Sequence, residues 1–302
     1  MNILITGGTG LIGSAFIHQF DDHQYTVLTR SPAHAKIQLP AYVQLIDSLE
    51  RLDNLDNFDA VINLAGAAII DKRWSDKRKQ EICTSRWQMT EQLVALFAHS
   101  TKPPAVFLSG SAIGVYGQHG NDELTEDSTV QETDFPTKLC LHWEEIARRA
   151  EPYTRVVLLR TGIVLAPKGG ALAKMLLAFK LCLGGRIGSG QQYMSWIHYQ
   201  DHIHAMHYLL SASNLSGPVN LVAPNPQTNR QFTQALAKAL GRIAIFPVPK
   251  QVLQLLLGES ACLLLDSQKV LPKKLLNSGF QFEYPHLATA LNDAVRRKNN
   301  QS

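Results

Sequence analysis

Cysteine and charge are both scarce in this chain. Four cysteines, Cys83, Cys140, Cys182 and Cys262, are spread over 302 residues with no CxxC pair. With no tight framework among them, they are expected to be reduced thiols filling a core. Charged residues make up 18%, and 29 Lys+Arg against 25 Asp+Glu leave a formal net charge of +4. That excess is too small and too dispersed for a face that grips a phosphate backbone, which argues against nucleic acid as a partner. Long apolar runs are missing too. The longest, Ala60 to Ile70, is interrupted by Asn63 and Gly66 and falls short of the roughly 18 residues of a membrane span. The opening MNILITGG enters a β-type run at once, without the basic and apolar segments of a leader. The expectation is a soluble, cytoplasmic protein with no membrane partner.

What the chain does have is apolar mass, 45% of its residues, and length for about two domains of roughly 150 residues each. Short β-branched runs are expected as strands at Asn2 to Thr6, Tyr25 to Thr29, Val43 to Ile46, Ala60 to Leu64, Ala105 to Ser109 and Arg155 to Leu159. Helical periodicity separates them, from about Gly10 to Phe20 and from about Ser75 to His99. Most of these strands are apolar throughout, as strands covered by helices on both faces must be. The fold class that follows is α/β, a doubly wound parallel Rossmann-type sheet. After about Leu165 the pattern shifts to a glycine-rich stretch, Leu183 to Gln192, a helix from Asp201, a strand at Val219 to Val222, and then short helices punctuated by Pro247, Pro249, Pro272 and Pro285. The expected division is a dinucleotide-binding domain over 1–165 with a return segment at about 195–223. A smaller, mostly helical lobe is expected from 166–194 and 224–302.

The segment ITGGTGLIG places Gly7, Gly10 and Gly13 between the first strand and the first helix. In that context the first glycine permits the tight turn, the second lets backbone approach a pyrophosphate, and the third lets helix and sheet pack closely, while the helix N-terminus favours the anion. At the end of the second strand, where an NAD enzyme keeps a carboxylate for the ribose 2′-hydroxyl, stand Thr29, Arg30 and Ser31. A cation beside a hydroxyl suits a 2′-phosphate, so NADP(H) is favoured over NAD(H); the alternative for Arg30 is a solvated strand end. Asp47 is either an acceptor for the adenine amino group or an exposed loop residue. The expected cofactor contacts are Gly7, Thr9, Gly10, Leu11, Ile12 and Gly13, then Arg30 and Ser31, then Leu64, Ala65 and Gly66 of the small-residue strand end, and Arg86. Arg86 shares the apolar stripe of Ile82, Met89, Leu93, Leu96 and Phe97. A guanidinium facing a sheet needs a partner, so it either finds an anion near the crevice or bends out at the edge of the stripe.

Thr6-Gly7 with this glycine spacing, NLAG at Asn63 to Gly66 and SGSAIGVYG at Ser109 to Gly117 resemble the extended short-chain dehydrogenase/reductase and nucleotide-sugar epimerase superfamily over residues 1 to about 165. KRW at Lys72 to Trp74, TSRW at Thr84 to Trp87, RTGIVL at Arg160 to Leu165, SWIHYQDH at Ser195 to His202 and the tail APNPQTN…LLDSQKVLPKKLLNSGFQF are similar to an atypical subgroup known as epimerase family proteins. That subgroup carries its own C-terminal module. The resemblance implies a nicotinamide dinucleotide cofactor, hydride chemistry on a small molecule, and a tyrosine acid/base with a lysine four residues later. No tyrosine of this chain has lysine at that interval. With Glu144 set on the family's usual glutamate, Pro136 and Cys140 occupy the positions of the pair. Ser111 lies nearest the family's catalytic Ser/Thr, five residues before Tyr116 rather than four, and reads either as a substrate contact or as a strand-end turn residue. By the same resemblance Tyr116 is a packing residue that helps shape the substrate pocket, and Trp196 and His198 are pocket or sheet-docking residues.

Other clusters carry less. On a helix starting at Asp201, His202 and His204 project about 200° apart, so the histidines at 198, 202, 204 and 207 do not converge, and no metal is expected. Lys72, Arg73, Lys77, Arg78 and Lys79 surround Trp74 among Asp71, Asp76 and Glu81, which reads as a solvated face or a site for an anionic small molecule. No GxSxG elbow supports a hydrolase serine. Two classes of function stay open: an NADP(H)-dependent oxidoreductase or epimerase-like enzyme with an unknown small-molecule substrate, and a non-catalytic NADPH-binding redox sensor. The oligomeric state is left open.

Overall fold

The computed structural model describes residues 1–167, 169–180, 184–244 and 246–299; Cys182 and Leu183 of the expected core cysteines and glycine-rich stretch lie outside them. The strands are β1 (Asn2–Thr6), β2 (Gln24–Leu28), β3 (Gln44–Ile46), β4 (Ala60–Asn63), β5 (Val106–Ala112), β6 (Glu123–Leu124), β7 (Arg155–Thr161), β8 (Ile163–Leu165), β9 (Tyr193–Met194), β10 (Trp196–His198), β11 (Gly217–Leu221), β12 (Gln227–Thr228) and β13 (Lys269–Val270). The α-helices are α1 (Leu11–Gln19), α2 (Pro32–Gln38), α3 (Asp76–His99), α4 (Phe135–Arg148), α5 (Gly170–Lys180), α6 (Tyr199–Ser211), α7 (Asn229–Ala239), α8 (Lys250–Leu257), α9 (Cys262–Leu265), α10 (Lys273–Asn277) and α11 (Leu287–Asn299).

Seven strands form one parallel sheet in the order β11-β7-β5-β4-β1-β2-β3. Its central strands are buried on both faces: Ile3, Leu4, Ile5, Val61 and Ile62 have no solvent exposure. One face carries α1 and α6, whose Phe16, Ile17, Ile203 and Met206 join the core with Ile5, Ile62 and Val157. The other carries α3 and α4 through Leu93, Phe97 and Ala147, against Leu4, Val61 and Phe107. Strand order reverses between β1 and β4, so a crevice opens past Thr6 and Asn63, where doubly wound sheets take ligands.

The expected strands appear, with shifted ends. β5 runs on to Ala112 because Gly110, Ser111 and Ala112 keep pairing with Leu159, Arg160 and Thr161 of β7. Helix α6 begins at Tyr199, with His198 at its cap. Asp201 is therefore not the cap: its buried carboxylate accepts the N–H groups of Glu283 and Tyr284 at 2.7 and 3.0 Å and fastens the C-terminal segment to the helix.

A second core gathers Leu172 and Leu176 of α5, Phe232 and Leu236 of α7, and Leu291 and Val295 of α11 around Trp196. The described residues of 224–299 do not all pack into this second core. β13 pairs with β6, and Leu275 and Phe280 are buried in the core of the main sheet.

Candidate functional site

Past the ends of β1 and β4 lies a cleft of about 750 Å³ whose walls include Gly7, Thr9, Gly10, Arg30, Ser31, Leu64, Ala65 and Gly66. The loop fits a dinucleotide by what its glycines exclude. Gly7 has φ +72°, and a Cβ there would stand 2.7 Å from the Leu64 carbonyl; one on Gly13 would stand 2.5 Å from the Gly7 oxygen. Only a chain without side chains at these points brings backbone this close. The Thr6 hydroxyl donates to Asn63 Oδ1 at 2.6 Å and accepts the Ala65 N–H at 3.2 Å, which locks the two strand ends together. Leu11, Ile12 and Gly13 form the first turn of α1, where N–H groups have no acceptor within the helix and are left for an anion. Their side chains play no part in the cleft wall: Leu11 faces Gly169 and Gly170, and Ile12 packs on the core.

Arg30 is exposed at the cleft's outer rim with Ser31. Lys72 and Arg78 line the same cleft, which divides the basic run. Arg78 pairs with Glu81 at 2.7 Å, whose carboxyl is lowered by that bond and by the charges of Arg78, Lys72 and Arg30. Lys79 instead pairs with Glu259. Asp47 is paired with Arg51 at 2.6 Å and is absent from the cleft wall.

Arg86 follows neither expected course. It donates to the carbonyls of Ile82 and Ala67, both at 3.0 Å, and its guanidinium lies 5.3 Å from the Trp143 ring. It sits directly behind Gly66, where a Cβ would meet it at 2.8 Å. Burial lowers its pKa, and two carbonyls and an indole face take the place of an anion. Among the described residues no carboxylate pairs with it.

Ser111 and Tyr116 are buried, and neither lines the cleft. Ser111 donates to Glu144 Oε1 at 2.7 Å, Glu144 holds Arg160 through both oxygens at 2.8 Å, and Arg160 donates to the Tyr116 hydroxyl at 3.0 Å. That hydroxyl in turn donates to Asn220 Oδ1 at 2.8 Å. The expected catalytic serine and pocket tyrosine thus belong to a buried ionic network joining β5, α4, β7 and β11. Trp196 and His198 are also fully buried. The Trp196 indole donates to the Asn225 carbonyl at 3.2 Å, while His198 approaches Asp293 at 3.2 Å and lies 3.8 Å from the Tyr284 ring. Both brace α11 and the C-terminal segment, and neither lines the cleft. The remaining histidines disperse: His202 shares a hydrogen bond with Thr161, and His204 and His207 flank Phe20.

A second cavity, about 250 Å³, lies across the segment 67–71. Ala67, Ala68 and Asp71 face the cleft, and Ile69 and Ile70 face this chamber. Pro136 and Cys140, at the positions of the missing tyrosine and lysine, line it together with Ala112, Ile113, Met175, Met194 and Leu263. Burial, with the Glu144 charge behind it, pushes the Cys140 thiol up to about 12, so it stays a neutral apolar wall. Besides Cys140, its ionisable groups are Cys262, expected only as a core filler, and Asp134, Tyr193 and Asp266, for which no role is expected from the sequence. Burial and the nearby Asp134 push the Asp266 carboxyl up to about 6. The one available signal for Asp266 was a carboxylate closing the apolar run Cys262 to Leu265.

Residues 3–223 match the NAD dependent epimerase/dehydratase family, and residues 248–294 match a domain of unknown function (DUF1731). The chain is 39% identical over 296 residues to the epimerase family protein MW0731 of Staphylococcus aureus, covering 97% of this chain and 98% of that one. It is 38% identical over 300 residues to the epimerase family protein SDR39U1 of Mus musculus, covering 98% and 100%. The crystal structure of human SDR39U1 (isoform2) with NADPH superposes with a TM-score of 0.90 at 35% identity, over 98% of this chain and 99% of that one. A UDP-glucuronic acid 4-epimerase from Bacillus cereus, solved with UDP-glucuronic acid and NAD, is 18% identical with a TM-score of 0.78 over 100% and 99% of the two chains, and shares the fold. This chain belongs to the NAD-dependent epimerase/dehydratase family, among the members called epimerase family proteins.

Proposed function

We propose that the protein binds NADP(H) and acts as an epimerase-like oxidoreductase on a small molecule. The observation that carries the reading is the glycine turn pressed against the Leu64 carbonyl, with the cations Arg30, Lys72 and Arg78 on the rim of the same cleft. The N–H groups at the entrance to α1 would hold the pyrophosphate, and Arg30 and Ser31 would hold a 2′-phosphate, for which NAD(H) offers no counterpart. Human SDR39U1, so similar in fold, was solved with NADPH. When bound, the nicotinamide supplies hydride exchange. The chain's part is to anchor the dinucleotide, to keep the chamber beyond Ile69 and Ile70 apolar, and to present Asp266 there. No described helix is long and apolar enough to cross a membrane, and the reading places the protein in the cytoplasm with a small molecule as its partner.

A second reading is a redox sensor that keeps the cofactor without turnover. It is favoured by Pro136 and Cys140 in the chamber wall and by the commitment of Ser111 to Glu144. Incubating the NADPH-loaded protein with a panel of carbonyl compounds while following nicotinamide absorbance separates the two. Oxidation with any member supports the enzyme; tight NADPH binding with no turnover across the panel supports the sensor.

A further inference from the structure

The chamber beyond Ile69 and Ile70 has an unusual charge balance for a site beside a dinucleotide cleft. Among the described residues that line it there is no lysine, arginine or histidine, and its carboxylates are Asp134 and Asp266. Most of the rest of the wall is aliphatic or thioether, with Ile113, Ile163, Met175, Met194 and Leu263 prominent. Its volume, about 250 Å³, falls below the usual span of about 300–1,000 Å³ for ligand pockets. A sugar diphosphate would bring negative charge into low-dielectric walls that hold carboxylates and no cation, where like charges repel and desolvation goes uncompensated.

The two carboxylates are not equivalent. Asp134 caps α4, and its Oδ1 accepts the Thr137 N–H at 2.9 Å. Asp266 follows α9, its own N–H donates to the Cys262 carbonyl, and among the described residues nothing donates to its carboxylate. Resting on the NADP(H) reading above, we infer that this chamber takes an uncharged, mainly apolar carbonyl compound and that Asp266 is the side chain that donates a hydrogen bond to its oxygen. The charged and titratable groups around Asp266 come from several elements. Asp134 at the cap of α4 raises its pKa and Lys250 of α8 lowers it. Cys262 of α9, Cys140 of α4 and Tyr193 of β9 share the wall. The Cys262 thiol is pushed to about 12 by burial and by the Asp266 and Asp134 charges, so it stays neutral. Lys250 lines a separate polar cleft beyond Leu265.

With the Asp266 carboxyl at about 6, it is protonated and able to donate at pH 5, and ionised and facing the carbonyl oxygen's lone pairs at pH 8. The test is a ligand-observed NMR titration of NADP⁺-saturated protein with acetophenone and cyclohexanone, and with UDP-glucose as competitor. NADPH affinity is measured first. Absence of NADPH binding would sink the cofactor reading itself, whereas the outcomes below bear only on the chamber. Expected are ketone binding at least about 10-fold tighter at pH 5 than at pH 8, the worth of one buried hydrogen bond, and no displacement by UDP-glucose. In Asp266→Asn, whose amide donates at either pH, the difference collapses to less than about 2-fold. Retention of wild-type NADPH affinity certifies that this variant is folded, and the wild-type pH comparison stands without it. The inference is overturned if neither ketone binds, if UDP-glucose displaces them, if wild-type binding is the same at both pH values, or if the pH difference survives in Asp266→Asn.

Discussion

Glu144 holds Arg160 through two hydrogen bonds of 2.8 Å, both side chains being only 4% exposed. Burial alone would lower the Arg160 pKa, and the Glu144 carboxylate more than offsets it, leaving the guanidinium raised. Removing one member of such a pair strands the other charge out of water, which costs about 3–5 kcal/mol. Glu144→Gln is expected to lose that much in urea unfolding, and Ser111→Ala, which removes only one donor to the pair, about 1 kcal/mol. Equal losses would argue against an ion pair at the centre of the network.

Gly7 tests the loop. Gly7→Ala forces a residue with φ +72° to carry a Cβ at 2.7 Å from the Leu64 carbonyl. The expected result is a destabilisation of about 1–3 kcal/mol, with NADPH binding weakened together with the melting temperature. The two are read by thermal denaturation and calorimetry on the same preparation.

Arg30 tests the choice of cofactor. Arg30→Ala is expected to lower NADPH affinity at least about 10-fold, the worth of one charge-assisted contact, and to leave NADH affinity within about 2-fold. Equal losses for both coenzymes would remove the 2′-phosphate from this rim.

His202 supplies a pH dependence. It is fully buried beside Thr161, 3.1 Å away, and burial lowers its pKa from 6.5 to about 3. The unfolded chain therefore takes up a proton that the folded one refuses. The contribution of neutral His202 is intact above pH 6.5 and declines by about 1.4 kcal/mol per pH unit from there down to about pH 3. Denaturant unfolding of His202→Gln between pH 7 and 4 is expected to show a shallower acid slope than wild type.

How far the site could be read from the chain depended on distance in sequence. The glycine turn, its strand and its helix all lie between Asn2 and Gln19, and each residue's conformation there is dictated by neighbours. Ser111 and Tyr116 read as pocket residues through the resemblance of SGSAIGVYG to the superfamily's motif. Their partners Glu144, Arg160 and Asn220 come from 33 to 104 residues away, and nothing local marks that pairing. His198 is in the same position: Asp293 and Tyr284 reach it only once the C-terminal segment has folded back. Asp266 was passed over because its chemistry is made by tertiary surroundings, the apolar chamber and the sequence-distant Asp134.

The central claim is that the turn at Gly7, Gly10 and Gly13 grips the diphosphate of a phosphorylated pyridine coenzyme. Calorimetric titration of NADPH and of NADH into the purified chain tests it most directly. One saturable site with NADPH bound at least about 10-fold more tightly than NADH is the predicted result; no heat with either coenzyme, or tighter binding of NADH, would contradict it.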